Sequence, residues 1–354
     1  MKKVREKVTL TYDIFSKYRT ILMGIAILSI LIFHFTEDCK VYHYNFQGGI
    51  SLFYKYISST GVDIFLFLSG FGLYYAWKKN PIYKEFILKR LKKVLIPYLL
   101  ISIPAYIIKN IFIKDLGALS VLKGISFYSF LTNGDKWYWY ILMIIICYFI
   151  YPWIFEIVEE NKTKIKSQTT MIGVFTFISV IAIMLQKYDA PLFKILNIML
   201  LRFPIFVFGS FIGRASYEKR VIGKEWIVLG IISLVCIPLR ETNQIIFVRY
   251  VLGALNLFIF FIIVQVIEYL NRRDIKLAFI KKVLEWFGNY SLELYLVHVT
   301  VRSIMNDLGY CTCRIRYYLL MLLISIILAI VVKKITKFLI KLLELKKKDA
   351  IVQE

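Results

Sequence analysis

Histidine is scarce in this chain, three in 354 residues, and 23 aspartates and glutamates face 46 lysines and arginines. Cysteine is scarce too: five are present with no CxxC pair, which removes the usual cysteine-based metal or redox motif, and no metal site is expected. Cys311 and Cys313, in a loop expected outside the membrane, are too close in sequence to pair without strain and are assigned no role. No repeat of solenoid length, no low-complexity linker and no extramembrane segment long enough to fold alone interrupts the sequence. These absences leave one membrane-embedded domain over 1-354, which includes an N-terminal segment 1-19 and a basic tail 335-354, both expected on the cytoplasmic side.

What the chain has instead is apolar length. A hydrophobic fraction of 59% and a mean hydropathy of +0.67 place it among polytopic membrane proteins. Windows of about 20 apolar residues fall near 20-36, 61-77, 94-113, 137-157, 171-186, 197-213, 226-239, 246-268, 286-304 and 317-334. The expected fold is therefore an all-α bundle of about ten transmembrane helices. The first apolar stretch is too long for a signal peptide and lacks a small-residue cleavage pattern, so it is expected to stay as an anchor.

The net charge of +23 would suggest nucleic acid in a soluble protein. Here alternate segments between the windows hold 32 of the 46 basic residues, which predicts that they and both termini face the cytoplasm. Insertion in the bilayer explains the charge, and nucleic acid is not expected as a partner.

Ionisable and polar groups inside apolar spans are the informative residues, because lipid gives them nothing to bond. His34, in ILMGIAILSILIFHF, lies past the middle of its span toward the outer side, and Asp63, in GVDIFLFLSGF, lies near the outer end of the next span. Antiparallel helices would bring the two together, and a carboxylate beside an imidazole fixes its tautomer and raises its basicity, as a general base requires. The other reading is structural: a buried histidine bonded to a carbonyl and an aspartate capping its helix. Ser69, Gly70 and Gly72 suit close helix contact. Lys89, Arg90, Lys92 and Lys93 suit membrane anchoring or, since Arg90 and Lys93 share one helix face, a clamp for a phosphorylated ligand. Trp137 and Tyr138 open a span as an interfacial belt or as a stacking platform for sugars. Arg202, inside an apolar run, needs a polar cavity or a carboxylate, unless it snorkels outward. Glu293 and His298 are five apart and act separately.

Taken in order, MGIAILSILIFHF, GVDIFLFLSGF, FILKRLKKVLIPY, WYWYILMIIICYFIYPWI, RFPIFVFGSFIGR and GNYSLELYLVH resemble the acyltransferase 3 family of integral membrane O-acyltransferases over essentially the full length. The resemblance implies about ten helices, a cytosolic acyl-CoA donor, usually acetyl-CoA, and an acceptor hydroxyl on a cell-surface or lipid-linked glycan. It promotes His34 and Asp63 as catalytic residues and Lys89, Arg90 and Lys93 as donor-binding residues. Ser69, Trp137, Tyr138, Arg202, Glu293 and His298 become acceptor-side candidates. A multi-pass protein of the plasma membrane is expected, acting alone, as a homo-oligomer or with other polysaccharide-biosynthesis proteins, and the Lys-, Ile- and Phe-rich composition suits a bacterium with an AT-rich genome. Two positions depart from the family: the arginine eleven residues before the histidine is Met23, with Arg19 one turn further back, and the second arginine of the donor pair is Lys93. A transporter or flippase of lipid-linked sugars and a non-catalytic scaffold are the rival classes. No inverted repeat or pair of broken spans is visible for the former.

Overall fold

The structure, a computed structural model, describes residues 10–42, 60–238, 244–273 and 278–352; the rest of the expected N-terminal segment, 1–9, lies outside them. The described residues are almost wholly helical. Taken in chain order the principal helices are α1 (Arg19–Val41), α2 (Thr60–Lys79), α3 (Tyr83–Tyr106, continuing as a π-helical turn over Ile107–Ile113), α4 (Trp139–Glu160), α5 (Lys164–Tyr188), α6 (Ala190–Leu200), α7 (Phe203–Tyr217), α8 (Glu225–Cys236), α9 (Ile245–Arg272), α10 (Ala278–Asn289), α11 (Ser291–Asp307) and α12 (Ile315–Val352).

Seven stretches among them are long and apolar enough to cross a membrane: α1, α3 with its extension, α4, α5, α6 with α7, α9 and α12. Each corresponds to an expected span. The other three expected spans fall on α2, α8 and α11, which are helices but do not qualify by length and composition. Length explains α8 and α11. In α2 the polar Thr60, Asp63 and Ser69 interrupt the apolar run, and the helix is instead buried almost throughout within the bundle.

Local chemistry sets the helix ends. Thr163 accepts the Lys166 amide at 3.2 Å to start α5, and Asp189 accepts the Leu192 amide at 3.0 Å to start α6 with Pro191 in its first turn. Pro204 opens α7 in the same way. At the centre, α2 and α7 meet backbone to backbone, because a Cβ on Gly70 would fall on the Phe206 carbonyl and one on Gly209 on the Phe67 carbonyl. Phe15, Phe67, Phe71, Trp226 and Phe260 stack around that contact as the densest part of the core.

Several expected cytoplasmic segments meet at one end of the bundle. Tyr12 donates its amide to Arg220 O at 3.1 Å, Lys17 reaches Glu268 at 2.8 Å, Lys78 reaches Glu159 at 3.0 Å and Lys164 reaches Glu225 at 2.8 Å. Helix α1 starts at this end, and at 1.5 Å per residue His34 stands about 22 Å farther along it. Cys311 and Cys313 are joined in a disulfide at the opposite end, a pairing that sequence spacing disfavoured.

Candidate functional site

Helix α1 extends through Val41, so Glu37 and Asp38 are helical, one turn beyond His34 and on its side of the helix. Glu37 Oε2 lies 3.0 Å from His34 Nδ1. Arg302, from α11, binds this turn as a fork: its Nε and Nη2 donate to the two oxygens of Asp38 at 2.8 and 2.5 Å, Nη2 also donates to Glu37 at 2.8 Å, and Nη1 lies 2.9 Å from His34 Nδ1. Asp38 is buried and accepts from the Thr312 hydroxyl as well, while Asn306 receives the Thr312 amide at 2.9 Å. The His34 ring leans on that of His298, with centroids 5.3 Å apart. His298 is fully buried, its Nδ1 lies 2.7 Å from the Leu294 carbonyl, and its Nε2 has no partner among the described residues.

Nδ1 of His34 cannot both donate to Glu37 and accept from Arg302. A proton on Nδ1 donates to Glu37 and leaves the Nε2 lone pair available; it forgoes the bond from Arg302 Nη1, while Arg302 Nε and Nη2 stay on the two carboxylates. The arrangement can therefore hold an imidazole with a free basic nitrogen.

His34 lines a cavity of about 530 Å³, together with Glu37, Trp137, Trp139, Arg202, Arg249, Tyr295, Arg302 and Asp307, among others. Asp63 is not the partner of His34, contrary to the expectation from helix direction. Gly61 packs against Ala26 and Ile30, so Asp63, two residues deeper, sits about two turns below the level of His34 on α1. It binds instead to Arg202 Nε at 3.0 Å and Asn256 Nδ2 at 2.6 Å, while Thr60 donates to Asn256 Oδ1 at 2.8 Å.

Of the remaining acceptor-side candidates, Trp137 and Arg202 line the cavity and His298 stands behind His34. Tyr138 is buried with its hydroxyl 2.5 Å from Thr300 Oγ1, and Ser69 faces Tyr140 at 3.4 Å; neither borders the cavity. Glu293 does not border the cavity: it stands in the first turn of α11, about 13 Å below Arg302 along that helix, and its neighbour is Lys333 at 3.5 Å.

At the other end of α1, Arg19 joins the basic group of α3. Arg19 lies within electrostatic range of Arg90, Tyr140 and Tyr148, and Lys93 within range of Arg90, Lys89 and Arg19. Gly72 makes room for it, since a Cβ there would come within 2.7 Å of the guanidinium. Arg19 thus supplies a cation near the donor candidates although the position four residues on is Met23.

A family model described as an acyltransferase domain matches residues 20–334, nearly the whole chain, and covers the residues of both sites except Arg19, which lies immediately before it. The chain belongs to the acyltransferase 3 family. It is accordingly a multi-pass membrane acyltransferase. Comparison with curated proteins and with solved structures yields no match. In this acyltransferase the residues that sequence reading missed are Glu37, Asp38, Arg302 and Arg249. Glu37 and Asp38 follow His34 at the i+3 and i+4 spacing of one helix face, and Arg249 and Arg302 are cations within apolar runs; these were the available signals.

Proposed function

We propose that the protein transfers an acyl group, acetyl by preference, from cytosolic acyl-CoA to a hydroxyl of a cell-surface or lipid-linked glycan, with His34 as general base. The observation that carries this reading is the His34 imidazole: held at Nδ1 by Glu37, bordering a cavity, and set about 22 Å along α1 from a cluster of cations suited to phosphates.

In the proposed reaction Nε2 takes the proton of the acceptor hydroxyl as its oxygen attacks the thioester carbon. The tetrahedral intermediate collapses, the carbon–sulfur bond breaks, and the proton on Nε2 passes to the departing CoA thiolate. Glu37 stabilises the imidazolium formed on the way, and Arg302 and Asp38 keep Glu37 in place. Arg19, Lys89, Arg90 and Lys93 hold the phosphates of the donor, whose long arm reaches toward the cavity, and Trp137, whose ring carries Lys109 Nζ at 3.7 Å and stacks on Tyr106, borders the acceptor side. The end bearing the donor cluster faces the cytoplasm and the cavity faces outward, in a bacterial plasma membrane.

The test is transfer of radiolabelled acetyl from acetyl-CoA to glycan in membranes holding the wild-type protein or His34→Ala at equal abundance. Loss of about a hundredfold or more is expected, the usual worth of a general base. Transfer by His34→Ala at the wild-type rate overturns the assignment, and glycan movement without acetyl-CoA consumption favours a transporter.

A further inference from the structure

The cavity beside His34 is lined by four cations, Lys136, Arg202, Arg249 and Arg302, and by two carboxylates, Glu37 and Asp307. The partners divide unevenly. Arg302 takes Glu37 and, behind the wall, Asp38. Arg202 takes Asp63, whose second oxygen is held by Asn256 at 2.6 Å. Asp307 faces Lys109 and Lys114 at 3.6 and 3.7 Å.

Two cations are left over among the described residues, Lys136, which is exposed on the segment before α4, and Arg249, which lies within a helix. Arg249 makes no hydrogen bond or ion pair among the described residues, and the charge that acts on it most strongly is the like charge of Arg202, with the already occupied Asp63 acting more weakly. It is half-buried in α9, a helix apolar enough to cross a membrane. A guanidinium in such a helix, placed beside another guanidinium, is unfavourable unless an anion joins it. Aromatic side chains line the same cavity, Trp137, Trp139 and Tyr295, two of them already under a cation: Lys109 lies over the Trp137 ring at 3.7 Å and Arg202 over the Trp139 ring at 5.5 Å.

Resting on the proposed acyl transfer, we infer that the acceptor glycan is anionic and that Arg249 binds its negative group while His34 acts on a hydroxyl nearby. The donor does not supply this anion, because its phosphates are addressed at the far end of α1. The chemistry fits a carboxylate on an acidic sugar or a phosphodiester between sugars, either of which a guanidinium binds by paired hydrogen bonds.

The experiment uses the full chain in neutral phosphatidylcholine nanodiscs, with three fluorescent oligosaccharides of equal length: one neutral, one containing glucuronate and one linked by phosphodiesters. Binding is measured to His34→Ala, which removes turnover, and to the same protein carrying Arg249→Gln or Arg249→Lys. One anionic probe is expected to bind about tenfold to a hundredfold tighter than the neutral one, the range of a charge-assisted hydrogen bond. Arg249→Gln abolishes that preference and Arg249→Lys restores part of it; whichever probe wins identifies the anion. Equal binding of charged and neutral probes overturns the inference, as does a preference untouched by Arg249→Gln, which would leave Arg249 to the lipid headgroups. Acetyl transfer with the His34-competent protein is run in parallel. If no probe is acetylated but Arg249-dependent binding persists, the transfer reading fails and the anion site stands. If neutral and anionic probes are acetylated with equal kcat/KM, the anion site fails and transfer stands.

Discussion

Two ionic centres lie within reach of one cavity, and they are built differently. Around Asp63, both carboxylate oxygens are taken, by Arg202 and Asn256, and Thr60 completes the set. Around His34, Arg302 ties two adjacent carboxylates of α1, and the imidazole, which borders the cavity, enters that network through Nδ1 alone. The first centre joins α2, α7 and α9 through charges that would be costly if left alone. The second uses its charges to orient one group that can gain and lose a proton. A closed ion pair holds helices together, whereas an imidazole with a free nitrogen can take part in a reaction.

That contrast breaks first at His34. His34→Ala should lower acetyl transfer about a hundredfold to ten-thousandfold with the protein still inserted and its melting temperature in detergent little changed; an unstable but active variant would reverse the assignment of the two centres. Asp63→Ala should do the opposite. It strands Arg202 in the bundle, with an expected loss of about 3–5 kcal/mol visible as a lowered melting temperature, while the fraction that remains folded keeps a specific activity much nearer wild type.

Smaller effects sharpen the roles within the His34 centre. Glu37→Gln should lower kcat about tenfold by weakening the hold on Nδ1 and the stabilisation of the imidazolium, leaving KM for acyl-CoA unchanged. A change in donor KM instead would place Glu37 on the donor path. The smallest effect is expected at the other end of α1, where Arg90→Gln should raise KM for acyl-CoA several-fold, about the worth of one charged hydrogen bond among several cations, with kcat preserved. An unchanged donor KM would reduce the basic cluster to a membrane anchor.

Much of the fold was legible. Apolar windows found all seven helices able to cross a membrane, because segment hydropathy is a property of neighbours in sequence. The basic segments predicted which loops would share one end, and contacts such as Lys164 with Glu225 join them. His34 stood out as an ionisable group in an apolar run. Its partner did not. The apolar window closed at residue 36, before Glu37 and Asp38, yet α1 continues to Val41, since Arg302 and Thr312 satisfy those carboxylates from elsewhere in the chain.

Asp63 shows the limit from the other side. Helix direction put it near the outer end, but the axial offset between α1 and α2 depends on where Gly61 settles against Ala26 and Ile30, a matter of packing that no residue count supplies. By itself, then, the sequence determined that the chain crosses a membrane many times, that one histidine lies out of place in it, and which family it resembles. Tertiary structure decided which charge meets which: it gave Glu37 to His34, Asp63 to Arg202, and left Arg249 beside a cavity with no counter-ion among the described residues. The reason is physical: hydropathy acts along the chain, whereas ion pairs form between helices whose relative heights are set by the shape of their contacts.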